Sequence, residues 1–209
     1  MARTKTYTLT GLNVSATGIA AAQLPTAATP LTLQAAAAAL SPARFITLTS
    51  AANISAINFT IVGLDRWGNL TTETIAGPNA NTVQYKTAFS VVTSITPSAS
   101  DGANNVSAGW PVGAVTPWVL CGRGFGNDAV PEALVSVLSA VGTVDANIEI
   151  TYDEFPRLAE KDITVDQSVL AAAFTPGTPQ AAKGQGVRVV LTTGAGNTAI
   201  IKFTRPGPY

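Results

Sequence analysis

The sequence contains no histidine and a single cysteine among its 209 residues. Without histidine the chain has no Ser-His or Cys-His catalysis and no imidazole metal ligand. One cysteine forms neither an internal disulfide nor a zinc site built from several thiolates, and we interpret Cys121 as a small buried thiol. The sequence therefore predicts no catalytic residue, no bound metal and no organic cofactor.

Charged residues are also scarce, with 12 Lys and Arg against 12 Asp and Glu, or 11% of the chain. An average soluble domain has about 25%. The net charge of zero is a poor match for the basic surface of a nucleic-acid-binding protein, so we expect no nucleic-acid partner. The charges follow a basic–acidic–basic order, with the acids concentrated at 145–166. Two interpretations stay open: pairing between neighbouring copies, or ordinary scattered surface charge.

Long apolar runs are missing as well. No stretch reaches the ~18 consecutive apolar residues of a transmembrane helix. Arg3 and Lys5 stand near the start of the chain, but polar residues interrupt the segment that follows them, so no apolar signal-peptide core forms. We therefore expect no signal peptide and no membrane partner, and we expect synthesis in the cytoplasm.

The sequence is rich in alanine and threonine, with 35 and 28 residues, and its apolar residues recur with a period of two. Residues 57–61 alternate apolar and polar side chains, as expected for a half-buried strand. The segments 44–49, 70–75 and 82–95 are rich in β-branched residues. With the turn residues of 65–69, they predict a four-strand antiparallel meander over 44–96.

Two further hairpins are predicted near the C-terminus. In the first, Gly142-Thr143 joins 133–141 to 144–152 and would pair Val137 with Ile148 and Val135 with Ile150. In the second, 194–197 joins 187–193 to 198–204. All three hairpins together predict an all-β fold, an antiparallel β-sandwich of the jelly-roll or Ig-like kind with extended terminal arms.

The predicted domain organisation follows the distribution of charge and turn residues. We expect an extended N-terminal arm over 1–43, with a short Ala-rich helix at 34–40. A β-sandwich domain is expected over 44–204, with a sub-boundary near 110–130. The tail 205–209 contains two prolines, which cannot continue a strand ladder, and we expect it to dock on a neighbour.

Three groups of residues are candidates for a chemical site. Asp145, Glu149 and Asp153 lie on one face of a predicted strand and carry the oxygen ligands that Ca²⁺ prefers. Alternate residues of a strand are ~7 Å apart, however, so we favour a solvent-facing row. Asp153 and Glu154 point to opposite faces and cannot flank one glycosidic bond. The glycine-rich 122–126 lacks the Lys-Ser/Thr pair of a phosphate loop.

The candidate interface residues are of two kinds. Arg66 and Trp67 lie at the tip of the predicted 65–69 hairpin, and both residue types are common anchors of protein interfaces. The alternative is that Trp67 folds back over the sheet edge. The second kind comprises residues near the two ends of the chain: Arg3, Lys5, Arg205 and Tyr209.

Parts of the sequence resemble virion structural proteins of tailed bacteriophages. The resemblance covers roughly 44–96 and 131–154, about a third of the chain, and its motifs are moderately specific. It is carried by ITLTS at 46–50, NIS at 53–55, FTIVGLD at 59–65, GN at 68–69, ETI at 73–75, GPN at 77–79, residues 89–95, GT at 142–143 and IEITYD at 148–153.

The resemblance implies a small β-sandwich subunit of the virion, without catalytic residues. We expect a head decoration or cement protein that binds a major capsid protein and other copies of itself, as a homo-oligomer that the resemblance suggests is a trimer. One alternative is a tail, adaptor or fibre protein. Another is a carbohydrate-binding adhesion module that uses Trp67, Trp110 or Trp118 as a sugar platform.

Overall fold

A computed structural model describes residues 3–123, 131–141, 145–153, 162–163, 165, 167–171, 179–194 and 196–205. Their regular structure is mainly β-strand, with a short 3-10 helix at Ala35–Ala38, and no α-helix is found among them. The predicted all-β class, with antiparallel sheets packed together, is confirmed. In chain order the strands are β1 (Arg3–Thr10), β2 (Ser15–Gln23), β3 (Arg44–Thr49), β4 (Asn58–Asp65), β5 (Leu70–Ala76), β6 (Thr82–Pro97), β7 (Val106–Trp110), β8 (Ala114–Val115), β9 (Val119–Leu120), β10 (Gly122–Arg123), β11 (Pro131–Val141), β12 (Ala146–Thr151), β13 (Gln167–Ala171), β14 (Gln180–Lys183), β15 (Gly186–Leu191) and β16 (Thr198–Arg205).

The chain divides into two compact units. The terminal unit consists of Met1–Asn13 and Val112–Tyr209, and the inserted unit consists of Val14–Pro111. This division differs from the expected plan of an arm followed by one sandwich domain over 44–204. Each unit has its own cluster of buried apolar side chains, which is the physical basis of the division.

The inserted unit is built on one six-stranded antiparallel sheet with the strand order β2-β7-β3-β6-β4-β5. The sixteen-residue β6 pairs with β3 through its first half and with β4 through its second half. Phe59 pairs with Pro97, yet its carbonyl also accepts a hydrogen bond from the hydroxyl of Tyr85 at 3.1 Å. Tyr85 and Pro97 are twelve residues apart on β6, a separation of about 40 Å in a straight strand. Because both lie beside Phe59, β6 bends, and its two halves enclose one core.

The four strands predicted over 44–96 are confirmed, but their arrangement as a meander is wrong. β3 pairs with β6 and β7, and β6 lies between β3 and β4. Only the β4–β5 hairpin joins sequence neighbours as predicted, with seven consecutive pairs from Asn58–Ala76 to Leu64–Leu70. The register of β6 shifts against both partners, and such irregularities bend a strand.

The terminal unit is a sandwich of two five-stranded antiparallel sheets. One sheet has the order β1-β16-β11-β10, with β14 also paired to β11. The other has the order β13-β12-β15-β8, with β9 also paired to β15. The core between the sheets takes Val135 and Phe203 from the first and Ile148, Ile150 and Val189 from the second, all at most 4% exposed.

The two hairpins predicted in this unit are wrong. β11 and β12 belong to different sheets: β11 pairs with β14 and β16, and β12 pairs with β13 and β15. The pairing of Val135 with Ile150 is therefore not formed, and Gly142-Thr143 lies outside the described residues. β15 and β16 also belong to different sheets. The alternation of apolar residues places one face toward a core, but it does not specify which strand lies alongside.

The first 43 residues also differ from the expected extended arm. β1 pairs with β16 over eight residues, and β2 pairs with β7. Within β1, Leu9 is buried and Tyr7 packs on the core of the terminal unit, while the intervening threonines are exposed. The short helix is a single 3-10 turn whose Ala37 is buried. No helix among the described residues is long and apolar enough to cross a membrane.

Candidate functional site

The tip of the β4–β5 hairpin is held by one carboxylate. Oδ1 of Asp65 accepts hydrogen bonds from the backbone N–H of Trp67 at 2.8 Å and of Asn69 at 2.9 Å. Oδ2 accepts a third from Nδ2 of Asn69 at 3.2 Å. Gly68 has a φ of 83°, a conformation that glycine adopts without strain. The turn is therefore fixed locally by its own sequence, as the turn residues at 65–69 predicted.

This tip presents a large aromatic side chain to solvent. Trp67 is 53% exposed, and the guanidinium of Arg66 lies 5.9 Å from the centroid of its ring. Leu70, the first residue of β5, is 73% exposed. An exposure of 53% is compatible with an interface anchor and with a ring folded back over the sheet edge, so both interpretations of Trp67 stay open. Trp, Arg and Leu side chains thus stand together on a fixed turn.

The other two tryptophans are engaged within the protein. The guanidinium of Arg44 lies 4.4 Å from the ring centroid of Trp110, and burial lowers the pKa of that guanidinium. Trp118 is only 3% exposed, with the guanidinium of Arg188 at 4.5 Å from its ring centroid. Of the three tryptophans that are candidate sugar platforms, Trp67 is therefore the one whose ring is open to a ligand from solvent.

The acidic row is interrupted by an ion pair. Glu149 on β12 lies directly across from Arg188 on β15, and its Oε2 is 2.6 Å from Nε of Arg188. Its carboxylate is thus engaged by the guanidinium of Arg188. Within the described ranges no three His, Cys, Asp or Glu side chains are grouped so as to hold a metal ion.

The basic residues predicted at the chain ends belong to a strand ladder. Arg3 pairs with Arg205, and Lys5 pairs with Phe203, across β1 and β16. The guanidinium of Arg205 donates a hydrogen bond to the carbonyl of Leu120 at 3.1 Å, and Lys5 is exposed. These basic residues therefore lie on strands of a sheet and not on extended arms. Tyr209 lies outside the described residues.

Glu73 is a structurally important residue that the sequence interpretation did not identify. It lies on β5 but is only 6% exposed, and its carboxylate accepts hydrogen bonds from the backbone N–H of Lys86 at 2.7 Å and of Thr87 at 2.9 Å. These two amides lie where the register of β6 against β3 shifts. The period of two could have indicated its inward position, because Glu73 shares a face with the half-buried Ile75.

A shallow depression of about 350 Å³ also lies on the inserted unit. The residues that line it have small or amide side chains and carry no charge: Ala22, Thr49, Ser50, Ala51, Ala52, Ala103, Asn104, Asn105 and Ser107. Beside it, the carboxylate of Asp101 accepts hydrogen bonds from the backbone of Ala103 and from the side chain and backbone of Asn104, which lower the pKa of that carboxyl. Those bonds shape the loop and define no ligand.

No protein-family model, curated protein or solved structure matches this chain. Exposed Trp67, the turn that supports it and the adjoining strand β5 are therefore the features from which a function can be inferred.

Proposed function

We propose that this chain is a structural protein of a tailed-phage particle, a decoration or cement subunit that stabilises the head through protein–protein contacts. The observation that carries the proposal is the pre-formed hairpin tip, which exposes Trp67 beside Arg66 and Leu70. Large aromatic and Arg side chains contribute most of the binding energy at protein interfaces. We propose a tailed-phage particle as its location because the sequence resembles virion proteins.

In this proposal the chain acts only by binding to other proteins of the particle. A standard interface buries about 1,600 Å² in total, and a tip that is already ordered loses little conformational entropy on binding. The three hydrogen bonds to Asp65 provide that order before any partner arrives. The proposed partners are a major capsid protein and further copies of this chain.

Charge pairing between copies has a minor part. Lys5 and Arg205 would approach the acidic 145–166 region of a neighbouring copy. Exposed ion pairs contribute only ~0–1 kcal/mol each. The contact area of the interface, rather than these pairs, would hold a subunit on the particle, and a trimer stays a proposal drawn from the resemblance.

The test is co-sedimentation of the purified chain with phage heads that lack it. Trp67→Ala should weaken binding at least about 30-fold, the effect of losing a hot-spot residue of about 2 kcal/mol. Tyr152→Ala is the matched control, because Tyr152 is a 50% exposed aromatic residue on the terminal unit, and it should bind within about twofold of the parent chain. Equal binding by both variants would contradict the proposal.

A second candidate function is carbohydrate binding, which the exposed ring of Trp67 favours. An aromatic face that is open to solvent can stack on a sugar ring. Glycan-array binding that Trp67→Ala abolishes, together with no binding to phage heads, would select this function. A tail, adaptor or fibre protein would use the same kind of contacts at another position of the particle.

A further inference from the structure

Strand β5 is the outer strand of the sheet in the inserted unit. One of its sides pairs with β4, and among the described residues no backbone group of β5 is bonded on the other side. Unpaired N–H and C=O groups along a regular strand form a template for one more strand. We propose that β5 is the surface through which two copies of this chain join, in antiparallel pairing of one β5 with the other.

The regularity of β5 distinguishes it from the opposite edge of the same sheet. Its seven pairs with β4 run without a register shift, whereas β2 shifts twice against β7. Bulges and charged or proline residues are the usual devices that keep an edge strand from pairing. β5 has no proline and no Lys or Arg, and its single charge is that of Glu73.

That single charge does not face a partner. Glu73 is 6% exposed and its carboxylate is bonded to backbone amides of β6. The residues on the outer face of β5 are exposed and uncharged: Leu70, Thr72, Thr74 and Ala76. Two-fold pairing places the two Glu73 residues opposite each other, each bonded to the backbone amides of its own β6, and brings no exposed like charges together.

The other long, regular edge strand of the described chain is less suited to self-pairing. β1 carries Arg3 and Lys5, and Arg3 already lies opposite Arg205. Basic residues on an edge strand, Lys above all, are one of the devices that keep such a strand from pairing with another. The charge distribution thus favours β5 over β1 as the self-pairing edge.

The side chains of β5 are of a type that this sheet already pairs. The hydroxyls of Thr60 and Thr74 are hydrogen-bonded at 2.8 Å across β4 and β5, and those of Thr49 and Thr82 are 2.8 Å apart across β3 and β6. A partner strand in register would place its own threonines beside Thr72 and Thr74. Such cross-strand threonine pairs stabilise a sheet.

A second copy is the occupant that these observations favour. Antiparallel pairing of a strand with itself is self-complementary about a two-fold axis, and a net charge of zero gives no long-range repulsion between copies. The two-fold places the Leu70 end of each β5 beside the Ala76 end of the other. It thereby covers Leu70, the most exposed large hydrophobic residue of the described part of the chain.

This inference rests on the self-association in the proposed function but makes it a two-fold dimer in place of a trimer, and its test needs no phage particle, so the two can fail separately. The first measurement is sedimentation equilibrium of the full chain and two charge variants. Thr72→Lys places a cation on the β5 edge and should raise the dimer dissociation constant at least about tenfold, or 1.4 kcal/mol. Thr8→Lys, at an exposed position of β1, should leave it unchanged.

Disulfide cross-linking provides a second readout that does not depend on a destabilising charge. Cys121 is buried, so an introduced cysteine on β5 is the accessible thiol of the described chain. The two-fold pairs Thr72 of one copy with Thr74 of the other, so an oxidised mixture of Thr72→Cys and Thr74→Cys chains should give covalent dimers, and Thr8→Cys should not. A monomeric parent chain, a dimer indifferent to Thr72→Lys, or cross-linking through Thr8→Cys alone would overturn the proposal.

Discussion

Glu73 provides the sharpest stability prediction of the inserted unit. Its carboxylate accepts the backbone N–H groups of Lys86 and Thr87 at 2.7 and 2.9 Å, within the bent part of β6. Glu73→Ala removes both acceptors and leaves the partly buried N–H of Lys86 and the buried N–H of Thr87 without a partner. Glu73→Gln keeps one carbonyl oxygen but directs an NH₂ donor at the second N–H.

The magnitude follows from the number of unpaired groups. A buried donor left without a partner costs ~1–3 kcal/mol. Two such donors predict a loss of about 2–6 kcal/mol for Glu73→Ala, and one predicts about 1–3 kcal/mol for Glu73→Gln. Thr72→Ala, at the adjacent exposed position, should change the stability by no more than about 0.5 kcal/mol.

Hydrogen exchange measured by NMR is the appropriate assay, because a chain with two compact units need not unfold in one step. The amides of Lys86 and Thr87 should exchange at least about 30-fold faster in Glu73→Ala, the factor equivalent to 2 kcal/mol. Thermal melting of the variants should follow the same order. Unchanged exchange at both amides, with a melting temperature equal to that of Thr72→Ala, would refute the role assigned to Glu73.

Three further predictions concern the cores and the acidic row. Ile148→Ala should cost about 2–4 kcal/mol in urea unfolding, because Ile148 is 3% exposed, whereas Leu138→Ala, at a 50% exposed residue, should cost little; equal costs would contradict the assigned sheet faces. Burial, and after it the charge of Glu73, raises the pKa of the Tyr85 hydroxyl in the folded chain. As the pH rises, Tyr85 therefore loses its proton in the unfolded chain before it does so in the folded chain. Stability should then fall as the pH rises above about 10, by up to about 1.4 kcal/mol per pH unit, and Tyr85→Phe should remove that contribution. A chelator should leave the melting temperature unchanged, because Arg188 engages Glu149, and a sharp fall would restore the metal hypothesis.

The period of two predicted which side chains are buried, but not which strands are neighbours. Val135, Ile148 and Ile150 are buried as expected. The sequence predicts a hairpin turn after β11, yet the chain passes there from one sheet of the sandwich to the other. Both arrangements turn the same residues toward a core, so the alternation is equally satisfied by either. Strand order depends on long-range packing that no local pattern encodes.

The candidate site was predictable in part. Asp65 and Gly68 are turn residues, and they indicated the hairpin tip correctly. Whether Trp67 would be exposed depends on side chains distant in sequence, and the sequence left both outcomes open. Glu73 was missed because a charged residue in a threonine-rich strand is ordinarily assigned to solvent. Its role depends on the bend of β6, which the sequence pattern did not predict.

We propose that this chain is a structural component of a phage particle, held there by its surface contacts. Cryo-electron microscopy of the purified particle, with the density of this chain located, tests it most directly. We expect density for both compact units on the head, with the tip that carries Trp67 seated against a neighbouring subunit. Absence of the chain from purified particles, or its presence with Trp67 facing solvent, would contradict it.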